Sequence, residues 1–173
     1  MGIRIFTEKD ILRIPEDPVY LKPFDPKQKQ VAQRYKKKLD RILAPFGLKT
    51  YIKGSTALEI EGKGDIDLRI FVPDNKWLIV IKNLINYFRR VETLKEEYVR
   101  FIDFYQDMEV EVGLVRGKRA KIENRISTFL KTHPKIIEKY VELKRKYAHS
   151  QREYIRQKDK FFQTIWKPIL LEK

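Results

Sequence analysis

Residues 65–72, DIDLRIFV, alternate without a break: Ile66, Leu68, Ile70 and Val72 point to one side, and Asp65, Asp67, Arg69 and Phe71 to the other. A strand with that pattern has to bury one face and leave the other to charged partners, because a slip of one residue would exchange the two sets. The segment MEVEVGLV at residues 108–115 repeats the device, with Val110, Val112 and Leu114 on one face and Glu109 and Glu111 on the opposite one. It follows YVRFIDFY across Gln106-Asp107, which reads as a hairpin. The apolar side of such a sheet needs helices. KQKQVAQRYKKKLDRILAPF supplies one, with Val31, Tyr35, Leu39, Ile42 and Leu43 on a single face and Pro45 and Gly47 at its end. WLIVIKNLINYF, residues 77–88, supplies another, and LKTYIK forms a short strand that stops at Gly54. The polar stretch RRVETLKEE is read as a turn with helical remnants.

After Gly117 the spacing becomes helical over Ile122–Lys131, Pro134–Tyr147 and Gln151–Leu170. The expected fold is α+β, a small mixed sheet flanked by helices and followed by a helical C-terminal half. Residues 1–26, with Pro15, Pro18, Pro23 and Pro26, are expected as an arm holding at most one short helix. Residues 27–117 are expected to form the α/β core, and residues 118–173 a basic helical region packed on it. No run approaches the ~18 apolar residues of a membrane helix. Acids stand too early in the N-terminus for a secretory leader. With no cysteine, disulfides and thiolate zinc sites are excluded, and a cytoplasmic protein is expected. The two histidines, His133 before a proline and His149 in a polar linker, are isolated, which makes a histidine zinc site a poor expectation.

The net charge of +14 is unevenly distributed. Residues 1–53 hold 13 Lys/Arg against 6 acids, and residues 116–160 hold 15 against 5. Between them, residues 54–115 carry 12 acids against 8 Lys/Arg. An acidic middle between basic flanks suits a cation held by the middle and a phosphate-rich ligand, such as RNA, held by the flanks. Basic helices that merely keep the protein dissolved would give the same count.

Asp65 and Asp67 are the first candidates for chemistry. Two strand residues two apart place their carboxylates on one face, where they repel by roughly 2–3 kcal/mol at an effective dielectric near 20. Such a pair recruits a cation or shifts its titration. Mg²⁺ (or Mn²⁺) suits it, because hard oxygen ligands and nucleotide phosphates complete the shell. A third carboxylate from the neighbouring acidic strand, Glu111 or alternatively Glu109, would give a two-metal phosphoryl-transfer site. Ahead of the aspartates, Gly54-Ser55-Thr56 offers backbone N–H groups and hydroxyls to phosphates, too short for a Walker loop. Lys53 and Arg69 flank it and can neutralise phosphate charge.

A Gly-Ser turn, an Asp-x-Asp entering a strand and a carboxylate on a later strand resemble the nucleotidyltransferase superfamily that includes DNA polymerase β and the tRNA CCA-adding enzymes. More closely, the chain resembles the GrpB family of that superfamily over roughly residues 19–165. The resemblance rests on VYLKPFDPKQKQ, YIKGSTAL, FLKTHPKIIEKYVELKRKYA and YIRQKDKFFQTI. It implies a nucleotidyltransferase fold with a nucleotide-type site, in which Tyr140, Lys144, Tyr154 and Lys158 match the C-terminal pattern and would line the base and triphosphate pocket. The chain departs from the usual single aspartate of a Pro-Ile-Ile-Asp-Ile-like segment by presenting two in EGKGDIDL. Two functions follow as expectations. One is a Mg²⁺-dependent transferase moving a nucleoside monophosphate from an NTP to an acceptor hydroxyl, with tRNA-like RNA among the acceptors. The other is a catalytically silent nucleotide- or nucleic-acid-binding module on the same scaffold.

Overall fold

The alternation of residues 66–71 is realised as a central strand with Ile66, Leu68 and Ile70 fully buried. The computed structural model describes residues 7–88 and 90–171. They form α1 (Glu8–Leu12), α2 (Pro26–Leu43), β1 (Thr50–Lys53), α3 (Gly54–Leu58), β2 (Ile66–Phe71), α4 (Trp77–Phe88), β3 (Thr93–Lys95), β4 (Tyr98–Tyr105), β5 (Met108–Val115), α5 (Gly117–Thr132), α6 (Pro134–Tyr147) and α7 (Gln151–Leu171). Short 3-10 turns at Ala44–Phe46 and Asp74–Lys76 follow α2 and precede α4. The chain divides into two units, one of Phe24–Glu59 and Gly64–Lys121, the other of residues 7–23, Ile60–Lys63 and residues 122–171.

In the first unit the five strands lie in the order β1-β2-β5-β4-β3. Every pair is antiparallel except β2 and β5, which run parallel from Ile66↔Val110 to Phe71↔Val115. A parallel pair needs a crossover, and α4 with the β3–β4 hairpin makes it. One face of the sheet packs on α2 and α4. Val31, Tyr35, Leu39 and Leu43 from α2, and Val80, Ile81 and Leu84 from α4, join Leu68, Ile70, Phe101, Val110 and Val112 in one core. Asp25 caps α2 through the Lys27 N–H at 2.8 Å, and Pro26 opens it. Pro45 ends it in a 3-10 turn, and Gly47 closes that turn in the left-handed conformation at φ 64°.

Residues 93–95 differ from the expectation of helical remnants. Thr93–Lys95 is an edge strand paired to β4 as Thr93↔Arg100 and Lys95↔Tyr98. Three residues carry too little alternation to announce a strand, and the pairing is supplied by β4. The β4–β5 hairpin turns where expected, with Gln106 at φ 50° and Asp107 at φ 60°. Both central residues are left-handed, as a two-residue turn between right-twisted strands requires. Glu97, in the β3–β4 turn, accepts from the backbone N–H groups of Lys118 and Arg119 at 2.9 and 3.1 Å and so anchors the start of α5.

In the second unit the described residues before Phe24 hold one short helix, α1, with a Thr7–Asp10 capping box. The stretch after it is fastened to the α6–α7 junction. The Val19 N–H donates to the Ala148 carbonyl at 2.7 Å, the Gln151 N–H to Asp17 at 2.8 Å, and Arg152 to the Ile14 carbonyl at 3.0 Å. Lys22 and Gly62 form an isolated antiparallel bridge. His133 opens α6 ahead of Pro134 with its ring stacked on Phe129 at 3.8 Å, so it serves as a helix-start residue. No helix among the described residues is long and apolar enough to cross a membrane.

Candidate functional site

The second face of the sheet carries the charged side chains that the alternation excluded from the core. Its central rung runs Lys53, Asp67, Glu111, since Lys53 pairs with Asp67 and Asp67 with Glu111. The next rung runs Tyr51, Arg69, Gly113, Arg100. Register therefore puts Glu111 beside Asp67, while Glu109 is exposed and stands opposite the exposed Phe104.

The Gly-Ser-Thr turn closes against this rung. β1 ends at Lys53 and α3 begins at once, with Gly54 buried at φ 66°, a conformation that favours glycine. A Cβ at Gly54 would lie 2.0 Å from Oδ2 of Asp67 and 2.9 Å from its Cγ. The aspartate carboxylate thus rests against the bare α-carbon of the turn. Gln28 of α2 fixes the far side: its Nε2 donates to Thr56 Oγ1 at 3.0 Å and to the Asp65 carbonyl at 2.7 Å. One buried amide ties the turn, the start of β2 and α2 together. Thr56 is itself buried, with its hydroxyl accepting from Gln28, whereas Ser55 is half-buried. Lys53 Nζ lies 5.1 Å from the Phe71 ring centroid.

Arg69 is only 1% exposed. Its guanidinium lies across Gly113, where a Cβ would meet Nη1 at 2.6 Å. Nη1 donates to the Leu68 carbonyl at 2.9 Å, and Nη2 donates to Glu111 Oε1 at 3.0 Å. The same carboxylate accepts from Tyr98 Oη at 3.1 Å and, through Oε2, from Arg100 Nη1 at 3.4 Å. Arg119 covers the Tyr98 ring with its guanidinium carbon 3.7 Å from the centroid. Glu111 is thus held between two arginines and a phenol, so the charge a cation would neutralise is already met by guanidinium groups.

Among the described residues no group of three or more His, Asp or Glu side chains converges as a metal-ligand set. Mg²⁺ commonly keeps several waters and takes one or two carboxylates together with substrate phosphates, so such an ion does not need three protein ligands. The C-terminal candidates lie in the second unit. Tyr140 is buried, stacked on Phe161 at 5.6 Å and edge-on to Phe162 at 5.1 Å. Lys144 is 2% exposed, donates to the Glu61 carbonyl and lies 5.4 Å from the Tyr140 ring. Tyr154 is buried, with Lys158 Nζ 5.9 Å from its ring.

Gln28, Tyr98, Arg100 and Arg119 escape a reading by motif. Gln28 had a usable signal: a polar residue three before Val31 and seven before Tyr35 lies on the apolar stripe of α2 and needs a buried partner. Tyr98 and Arg100 alternate on β4 toward the charged face, but only the register shows that they meet Glu111.

A β1–turn–β2 unit with aspartates entering β2, and β5 parallel beside β2 with a carboxylate on the same rung as Asp67, defines a nucleotidyltransferase-like fold. Residues 18–167 match the family described as GrpB protein, most of the chain, and the chain belongs to that family. No curated protein matches the sequence.

Proposed function

We propose that the chain is a nucleotidyltransferase that moves a nucleoside monophosphate from an NTP to an acceptor hydroxyl. The observation that carries this reading is the contact between Gly54 and the Asp67 carboxylate, which sets a phosphate-sized turn directly against an acid. In this reading Gly54 and Ser55 present N–H and hydroxyl donors to the triphosphate, and Gln28 keeps the turn and Asp65 in fixed relation. Asp65 and Asp67 would hold Mg²⁺, which when bound neutralises phosphate charge. The acceptor oxygen bonds to the α-phosphorus, the bond from that phosphorus to the β-bridging oxygen breaks, pyrophosphate leaves, and the hydroxyl proton passes to the carboxylate pair or to water. Alignment and charge neutralisation carry most of such a reaction, so few side chains are needed. The net charge of +14 supports a polyanionic acceptor such as RNA.

A second reading, a nucleotide-binding module without turnover, draws on the Arg69–Glu111–Arg100 network, since a third carboxylate held by arginines is not available to a second metal. Incubation with each labelled NTP, Mg²⁺ and total RNA, with the Asp65→Ala/Asp67→Ala double variant as control, separates the two. Label on RNA that vanishes in the double variant supports transfer. Nucleotide-dependent stabilisation with no labelled acceptor and no pyrophosphate supports the silent module.

A further inference from the structure

We infer that Arg100, held by Glu111, is an anchor for the terminal phosphates of the nucleotide, and that Glu111 is a positioning residue for guanidinium groups rather than a metal ligand; this rests on the nucleotide-site reading above. Arg69 and Arg100 both donate to the Glu111 carboxylate, and the guanidinium carbons of Arg69 and Arg119 lie 5.7 and 3.7 Å from the centroid of the Tyr98 ring. Guanidinium forks grouped on one face of the sheet suit phosphate oxygens.

The arginines differ in how their donors are used. Arg69 is 2% exposed at its side chain and committed to Glu111 and the Leu68 carbonyl. Arg100 is the more open, at 22%, and reaches Glu111 only at 3.4 Å, long for a charge-assisted hydrogen bond. Its Nε is buried without a hydrogen-bond partner. A buried guanidinium N–H with no acceptor is a costly arrangement that an arriving oxyanion would relieve. Arg100 lies one rung along and two strands across from Asp67, roughly 12 Å between α-carbons from standard strand spacings. An extended arginine and a triphosphate chain together cover that distance, so the α-phosphate can sit at the Asp67 end while the far phosphates meet Arg100. The planar fork of Arg suits phosphate oxygens where a lysine would offer only a point charge.

The experiment is calorimetric titration of the full chain with inorganic tripolyphosphate and with ATP, in EDTA, so that no divalent ion contributes. Arg100→Gln is expected to weaken tripolyphosphate about tenfold, the loss of one charge-assisted contact. Arg100→Lys, which keeps the charge but loses the fork, is expected to fall in between. Glu111→Gln is expected to weaken binding several-fold although no metal is present, because Arg100 loses its brace; a carboxylate that served only as a metal ligand would repel the polyanion in EDTA, and its neutralisation would leave binding unchanged or tighten it. Thermal melts confirm that each variant is folded, and Arg100→Lys keeps the test open should Arg100→Gln melt early. Tripolyphosphate affinity unchanged in Arg100→Gln and Arg100→Lys overturns the inference and leaves the transfer reading standing. No binding of tripolyphosphate or ATP to the unaltered chain in EDTA also overturns it. Arg100-dependent affinity with no label transfer under Mg²⁺ sinks the transfer reading and leaves the inference in place.

Discussion

Replacing Gly54 with alanine should strain the junction between β1 and α3 in two separable ways. First, φ is 66°, and an L-residue held there costs about 1–2 kcal/mol. Second, the new Cβ would stand 2.0 Å from Asp67 Oδ2, so the carboxylate must move, and forced overpacking of this kind costs about 1–3 kcal/mol. The two together come to about 2–5 kcal/mol, and a central 3 kcal/mol lowers Tm by about 6–12 °C in a chain of this length. The components can be told apart with Asp67→Ala. In the Gly54→Ala background it removes the overlapping atoms but leaves φ untouched, so it should recover the overlap share alone, about 1–3 kcal/mol. Differential scanning calorimetry of the wild type, both single variants and the double variant closes this cycle. Nucleotide transfer should fall by about 100-fold in Gly54→Ala, since a catalytic group displaced by about an ångström loses that much. A Gly54→Ala protein melting within about 1 °C of wild type, or a double variant no more stable than Gly54→Ala, would refute the geometry of the turn.

Gly113→Ala should likewise destabilise, because its Cβ would lie 2.6 Å from Nη1 of the buried Arg69, and denaturant unfolding should show a loss of about 1–3 kcal/mol that is reduced in an Arg69→Met background. Glu111→Ala should cost about 3–5 kcal/mol, since it leaves the Arg69 guanidinium buried without its carboxylate; a loss under 1 kcal/mol by urea titration would contradict the buried pair. Gln28→Ala orphans Thr56 Oγ1 and the Asp65 carbonyl, and should lower stability by about 1–3 kcal/mol while raising KM for the nucleotide more than it lowers kcat. Burial, then the hydrogen bond to Asp103 and its negative charge, raise the Tyr35 hydroxyl well above its ordinary 10.0. The stability this provides is complete below pH 10 and declines above it by about 1.4 kcal/mol per pH unit, so Tyr35→Phe should flatten the alkaline limb of a stability–pH profile.

The elements most legible in the sequence are those where period and punctuation agree. The stripe of α2 ahead of Pro45 and Gly47, the strict alternation of β2, the turn-separated β4 and β5, and Pro134 at the start of α6 each carry local signals that the structure follows. β3 was not legible, because three residues hold no period and their strand state is conferred by pairing with Tyr98–Arg100. Within the candidate site, the alternation placed Asp65, Asp67 and Arg69 together on one face, and Glu109 with Glu111 on one face of another strand. It could not say which glutamate adjoins which aspartate. That depends on the parallel register Asp67↔Glu111, and the register depends on how α4 and the β3–β4 hairpin return the chain.

The arrangement around Glu111 lies further still from local pattern. Arg69 reads as a residue flanking a phosphate turn, yet in the fold it crosses Gly113, two strand positions beyond Glu111, and spends its donors on Glu111 and the Leu68 carbonyl. By itself the sequence determined which faces of β2 and β5 could be buried and where α4 and α6 lie, because side-chain period and backbone-restricted residues act over a few positions. Only the tertiary structure decided which charges meet across the sheet, because pairing joins residues about forty positions apart and a bare α-carbon at Gly113 matters only once a neighbouring strand brings Arg69 over it.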